Sequence, residues 1–226
     1  MPWPTVAPAL LNWLATPTKG AHEAGSQAWD LDLQGLTGQH PLAWWAAGSY
    51  QGQVRHALLR LRDHPSEAAL EPWLQPLVCL LQSGPAAATP KGLLVPVPSW
   101  KRQANPLPSL LAHALCHALG WSLRPDLLRR SRPVLGQHHL GRQLRLANQQ
   151  GAFRAVAAPA QHLGPRPPVL LVDDILTTGA TACAAATALR EGGWRVAGLA
   201  CLARTPAGRW RGRDLRSRCR QGDGPG

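Results

Sequence analysis

The sequence predicts an α/β fold, a mostly parallel sheet flanked by helices. Three observations carry that expectation. From residue 93 onward, short apolar runs alternate with stretches of helical periodicity. The runs LLVPVP (93–98) and VLLV (169–172) are apolar without alternation, as strands covered on both faces are. The stretch VLLVDDILTTGAT (169–181) passes from such a run through two adjacent carboxylates into a turn of Thr, Gly and Ala, the layout of strand, loop and helix start.

Taken in order, residues 1–40 mix Pro, Gly, Thr and isolated Trp without a sustained period and stay unassigned. PLAWWAAGSY (41–50) reads as a strand ending at Tyr50. QGQVRHALLRLR (51–62) places Val54, Leu58, Leu59 and Leu61 at mostly helical spacing. EAALEPWLQPLVCLLQSG (67–84) reads as a helix punctuated by Pro72 and Pro76, and SGPAAATPKG (83–92) as a linker. After the strand at 93–98, PLPSLLAHALCHALG (106–120) is a helix with prolines in its first turn, where they are tolerated. DLLRRSRP (126–133) and AFRAVA (152–157) read as strands, with a polar, basic loop and short helix, QHHLGRQLRLANQQ (137–150), between them. PPVLLVDD (167–174) is a strand, TGATACAAATALREGG (178–193) a helix closed by Gly192 and Gly193, and WRVAGLACLA (194–203) the next strand. The expected organisation is an N-terminal region at 1–90, an α/β domain at 91–203 and an Arg-rich, disordered tail at 204–226.

The charge is lopsided, with 24 Lys and Arg against 12 Asp and Glu, a formal +12. Such a field favours polyanions: phosphorylated metabolites, nucleic acid or anionic surfaces. The last segment alone holds Arg204, Arg209, Arg211, Arg213, Arg216, Arg218 and Arg220. With Trp210 it offers phosphate contacts and stacking to single-stranded nucleic acid, or it is a solvated tail without a partner. The five cysteines are odd in number and form no CxxC pair, so reduced thiols in a cytosolic protein, and no structural zinc, are the expectation. The apolar N-terminus lacks leading basic residues and makes a poor signal peptide, and no apolar run reaches the roughly 20 residues of a membrane span.

The chemistry concentrates at 169–181. Ligands of open parallel sheets bind at the carboxyl ends of the strands. Thr177, Thr178, Gly179, Ala180 and Thr181 open a helix there, where free N–H groups and the helix dipole favour a phosphate. Asp173 and Asp174, just upstream, can accept hydrogen bonds from a vicinal diol or help hold Mg²⁺. A ribose 5-phosphate has that layout. Neither GxxxxGK[ST] nor GxGxxG occurs in the chain. His113 and His117 stand at i, i+4, a spacing that can hold a metal, but no third ligand is evident and a solvent-facing role is expected. The adjacent His138 and His139 cannot share a helix face.

VLLVDDILTTGAT closely resembles the thirteen-residue signature of the type I phosphoribosyltransferases: four apolar residues, two acidic, two apolar, then a small hydroxyl-rich turn. Further stretches resemble the ComF family of that fold. LLVPVPSWKRQAN is similar to its first strand and pyrophosphate loop, and Tyr50, Gly52, Val54 and Arg55 to its Y-x-G-x-V-R segment. Its arm is matched through Gln137, Leu140, Arg145, Asn148, Gly151, Ala152 and Phe153. The resemblance spans roughly residues 45–203. Two departures stand out. No cysteine precedes Cys79, so the family's N-terminal zinc finger is expected to be missing or replaced, and its RGxNQ stretch has become RQANP at 102–106.

The resemblance implies a type I phosphoribosyltransferase fold in which Asp173 and Asp174 hold the ribose hydroxyls of phosphoribosyl pyrophosphate (PRPP) with Mg²⁺. Thr177, Thr178, Gly179, Ala180 and Thr181 hold its 5-phosphate, while Ser99, Lys101 and Arg102 are candidates for pyrophosphate. Gln137, Arg142, Arg145 and Asn148 lie on an arm able to close as a lid. It implies a cytoplasmic protein that binds PRPP or a nucleotide and acts in natural competence, handling incoming single-stranded DNA with other competence proteins. The alternative is a Mg²⁺-dependent phosphoribosyltransferase of nucleotide salvage or synthesis. The acceptor and the oligomeric state stay open.

Overall fold

A computed structural model describes residues 31–87, 89, 91–99, 105–131, 151–159 and 166–206. Six strands form the main sheet: β1 (Leu36–Gly38), β2 (Trp44–Ser49), β3 (Leu93–Pro96), β4 (Ser122–Leu123), β7 (Val169–Leu176) and β8 (Val196–Arg204). Their order is β1-β2-β8-β7-β3-β4. All neighbouring pairs are parallel except β1 with β2. Strands β5 (Leu128–Arg130) and β6 (Phe153–Ala155) form a separate antiparallel ribbon. The helices are α1 (Gly52–Asp63), α2 (Glu67–Gln82), α3 (Leu107–Leu119) and α4 (Ala180–Glu191). The predicted α/β class is what forms.

The two faces of the sheet explain the unbroken apolar runs. Leu94, Leu170, Val172, Ala200 and Leu202 pack with Leu58 and Leu61 of α1, Leu70, Trp73 and Leu77 of α2, and Leu111 and Leu115 of α3. The alternate residues Leu93, Val95, Leu171, Leu199 and Cys201 pack with Ala182, Ala185 and Leu189 of α4 and with Leu128 and Phe153 of the ribbon. Successive side chains of one strand feed opposite cores, so every position must be apolar.

Residues 36–82, expected to precede the α/β domain, supply two strands and two helices to this same sheet and its covering layer. Helix α2 runs through both prolines. Ser66 caps it by accepting from the Ala69 N–H (3.2 Å), and the buried stripe of Leu70, Trp73, Leu77, Val78 and Leu81 offsets the hydrogen bonds that Pro72 and Pro76 remove. Strands β1 and β4 have three and two residues, too short for any sequence period. β8 continues through Arg204, the first residue of the expected tail.

Candidate functional site

The parallel strands β3, β7 and β8 end on one side, and the candidate residues collect there. Asp173 and Asp174 lie inside β7, which continues to Leu176. Neighbouring residues in a strand point to opposite faces, and the two carboxylates meet different surroundings.

Asp174 is 5 % exposed and engaged by the fold. Its Oδ2 accepts from Arg62 Nε (2.8 Å), forms an ion pair with Arg62 NH2 (2.6 Å) and accepts from Asn105 Nδ2. Its Oδ1 accepts from the Ile175 N–H (2.7 Å). Four donors leave little acceptor capacity for a ligand. Asn105 also accepts from the Leu107 N–H (3.2 Å), so one side chain fixes the start of α3 and the carboxylate on β7. Neither tie was visible in sequence, because Arg62 and Asn105 lie 112 and 69 residues away.

Asp173 is the opposite case. Its Oδ1 accepts from the Asp174 N–H (2.9 Å), and among the described residues no cation comes within ion-pair distance. Burial, and after it the charge of Asp174, push its carboxyl well above the usual carboxylate range. Its register partner Cys201 is fully buried, and burial pushes that thiol far up as well, which makes it unreactive.

On the same side stands Arg130, the last residue of β5, which sequence reading passed over. Its Nε donates to the Pro98 carbonyl (3.1 Å) in the segment after β3, and its guanidinium lies 4.6 Å over the Phe153 ring. Its NH1 is shielded from solvent and has no hydrogen-bond partner. Burial lowers its pKa, and the charge of Asp173 opposes that shift.

The turn after β7 is braced from below. Arg204 NH1 donates to the Leu176 carbonyl (3.0 Å) and to the Thr177 carbonyl, and the Thr205 N–H donates to Leu176 (3.0 Å). Gly179 is buried with φ +80°, and a Cβ there would collide with Pro41. It delivers the chain into α4, whose first turn includes Ala180 and the half-buried Thr181. Thr177 is exposed, and Thr178 Oγ1 accepts a long bond from the Ala180 N–H (3.4 Å).

Of the residues expected at the site, Asp173, Asp174, Thr177, Thr178, Gly179, Ala180 and Thr181 are together on one strand, turn and helix start, with Ser99 on the neighbouring segment past β3. Lys101, Arg102, Gln137, Arg142, Arg145 and Asn148, and residues 207–226 of the expected tail, lie outside the described residues. His113 and His117 stack edge to face on α3 with Glu67 at 3.9 Å from His113, and no cluster able to hold a metal occurs among the described residues. No helix among them is long and apolar enough to cross a membrane.

A phosphoribosyl transferase domain family matches residues 150–223, the stretch that holds β6, β7, α4 and β8. DNA utilization protein YhgH of Salmonella typhi is 36% identical over 106 residues, and so is its counterpart in Salmonella typhimurium. The aligned part is 47% of this chain and 44% of each relative, so the match spans less than half the length of either. With the parallel sheet and its strand-end turn, these findings give the chain the α/β fold of the type I phosphoribosyltransferases.

Proposed function

We propose that the strand-end site binds a phosphoribosyl ligand, PRPP or a nucleotide, and that the protein works in the cytosol in handling incoming single-stranded DNA with competence proteins. One observation carries the ligand reading. Asp173 is held inside a central strand, with no cation of the described residues within ion-pair distance, three residues before that strand ends at the turn that opens α4. A fold keeps such an uncompensated acid where a ligand uses it.

The roles follow from chemistry. Asp173 accepts hydrogen bonds from the ribose hydroxyls. The N–H groups of the first turn of α4, with the Thr178 and Thr181 hydroxyls, take the 5-phosphate at the positive end of the helix dipole. Asp174, bound by Arg62 and Asn105, sets the strand position. Mg²⁺ binds through one or two carboxylates plus ligand phosphates, and Asp173 fits that donor set. When bound, the ion would neutralise phosphate charge.

The DNA role rests on the partial relatives' printed function and on charge. Between Asp126 and Asp173 the chain has seven arginines and no acid. On the ribbon, Arg129 and Arg154 are cross-strand partners, both exposed. Fluorescence anisotropy of a labelled oligothymidylate tests this role. Binding should weaken with salt, and the slope of log K against log salt should fall by about 1.4 in the Arg129→Gln, Arg154→Gln variant if both contact phosphates. An unchanged slope removes the ribbon from the contact.

The intact strand, turn and helix start also support a second reading, Mg²⁺-dependent turnover. Pyrophosphate release from PRPP, screened with bases and amines, would establish it if wild type is active and Asp173→Asn is silent. Release at the same rate in both would refute it.

A further inference from the structure

We propose that Arg204 is a positioning residue of the turn that opens α4, setting the turn's affinity for a phosphoryl group through the carbonyls of Leu176 and Thr177. The proposal rests on the phosphoribosyl reading above.

Arg204 ends β8 level with Leu176, the last residue of β7. The sheet is joined there without its side chain. The Arg204 carbonyl accepts from the Tyr50 N–H (2.8 Å), and the Thr205 N–H donates to the Leu176 carbonyl (3.0 Å). The guanidinium reaches one residue further. NH1 donates to the Leu176 carbonyl (3.0 Å) and also to the Thr177 carbonyl, beyond the strand. It lies over the Trp44 ring, 5.6 Å from the centroid, and the indole N–H of Trp44 is tied to the His40 carbonyl (3.1 Å). Pro41, in the same β1–β2 connection, fills the space beside Gly179. The turn is thus held by β8 through Arg204 and by the β1–β2 hairpin through Pro41.

In a trans peptide the C=O and N–H point in opposite directions. The only cis bond among the described residues is His40–Pro41, so the peptides of the turn are trans. Arg204 gathers the carbonyls of two successive peptides on one nitrogen. The N–H groups of those peptides belong to Thr177 and Thr178, and they point away from Arg204. Among the described residues neither has a hydrogen-bond partner. A cation at the carbonyl end polarises a peptide and strengthens the donor at its other end. Successive N–H groups so oriented form a concavity for an anion, beside the positive end of the α4 dipole. Arg204 therefore acts on the ligand through the backbone, without touching it.

Titration of the full chain with ribose 5-phosphate tests the assignment, followed by calorimetry and by the amide proton shifts of Thr177 and Thr178. In wild type both amide protons should move downfield on saturation. Arg204→Met should bind about 10-fold more weakly, with smaller amide shifts at saturation. Arg204→Lys should recover most of both readouts, because an ammonium also donates to two carbonyls. Trp44→Leu removes the ring under the guanidinium and should weaken binding in the same direction. The inference is overturned if Arg204→Met binds ribose 5-phosphate like wild type. It is equally overturned if Arg204→Met and Arg204→Lys lose affinity alike in step with Tm while the saturated amide shifts stay those of wild type, the mark of a purely structural role. Should Arg204→Met not fold, unchanged affinity and amide shifts in Trp44→Leu overturn it instead. A wild type that binds no ribose 5-phosphate is a separate result, which sinks the phosphoribosyl reading and this inference with it.

Discussion

Asp174 stands among four donors in a buried position, while Asp173, one residue earlier, accepts among the described residues from a single backbone N–H and has a raised pKa. The two therefore respond to substitution in opposite directions. Asp174→Asn removes the partner of Arg62 and should cost about 1.5–3 kcal/mol, the range for hydrogen bonds to charged groups, read from chemical denaturation. Asp173→Asn should raise the Tm of the unliganded protein at neutral pH, because a neutral amide escapes the cost that burial and the charge of Asp174 place on the ionised carboxyl. The pH dependence has a definite sign. The folded state holds the Asp173 proton to higher pH than the unfolded chain does. Stability contributed by that group is therefore present below the ordinary carboxylate value of about 4 and is lost as pH rises toward the raised folded value. Denaturation midpoints across that window should fall more steeply in wild type than in Asp173→Asn. A Tm loss in Asp173→Asn would contradict this account.

At the scale of elements, the turn into α4 and the β5–β6 ribbon each make a test. Gly179 has φ +80° and no room for a Cβ beside Pro41. Gly179→Ala should cost at least about 1–2 kcal/mol, the left-handed penalty alone, and weaken ribose 5-phosphate binding measured by calorimetry. In the ribbon, Arg154 is directly opposite Arg129, and like charges so placed repel. The nearby Asp126 is already forked to Arg124 (3.0 and 2.9 Å). Arg154→Gln should therefore stabilise the protein by about 0.2–1 kcal/mol at low salt, with the gain shrinking at high salt. Stabilisation together with weaker oligothymidylate binding is the signature expected of a surface kept for a polyanion.

For the whole molecule, much of the described sheet was legible because its main strands are buried on both faces and so stand out as apolar runs. The turn at 177–181 was legible because Thr and Gly follow such a run at once. What escaped was set by tertiary contact. β1 and β4 are two or three residues held by their neighbours, the division of Asp173 from Asp174 depends on Arg62 and Asn105, and Arg130 gains meaning only through Pro98 and Phe153. A boundary at residue 90 followed from a Pro- and Ala-rich linker, yet β2 pairs with β8 across it, because a parallel sheet takes its strands from distant sequence.

The central claim is that Asp173 is the ligand-facing carboxylate and Asp174 the structural one. Titration calorimetry of PRPP with Mg²⁺ into wild type, Asp173→Asn and Asp174→Asn, run below the Tm of each, tests it most directly. The account predicts binding by wild type, none by a fully folded Asp173→Asn, and weakened but measurable binding by Asp174→Asn. Binding by Asp173→Asn at wild-type affinity, or its loss in Asp174→Asn alone, would contradict it.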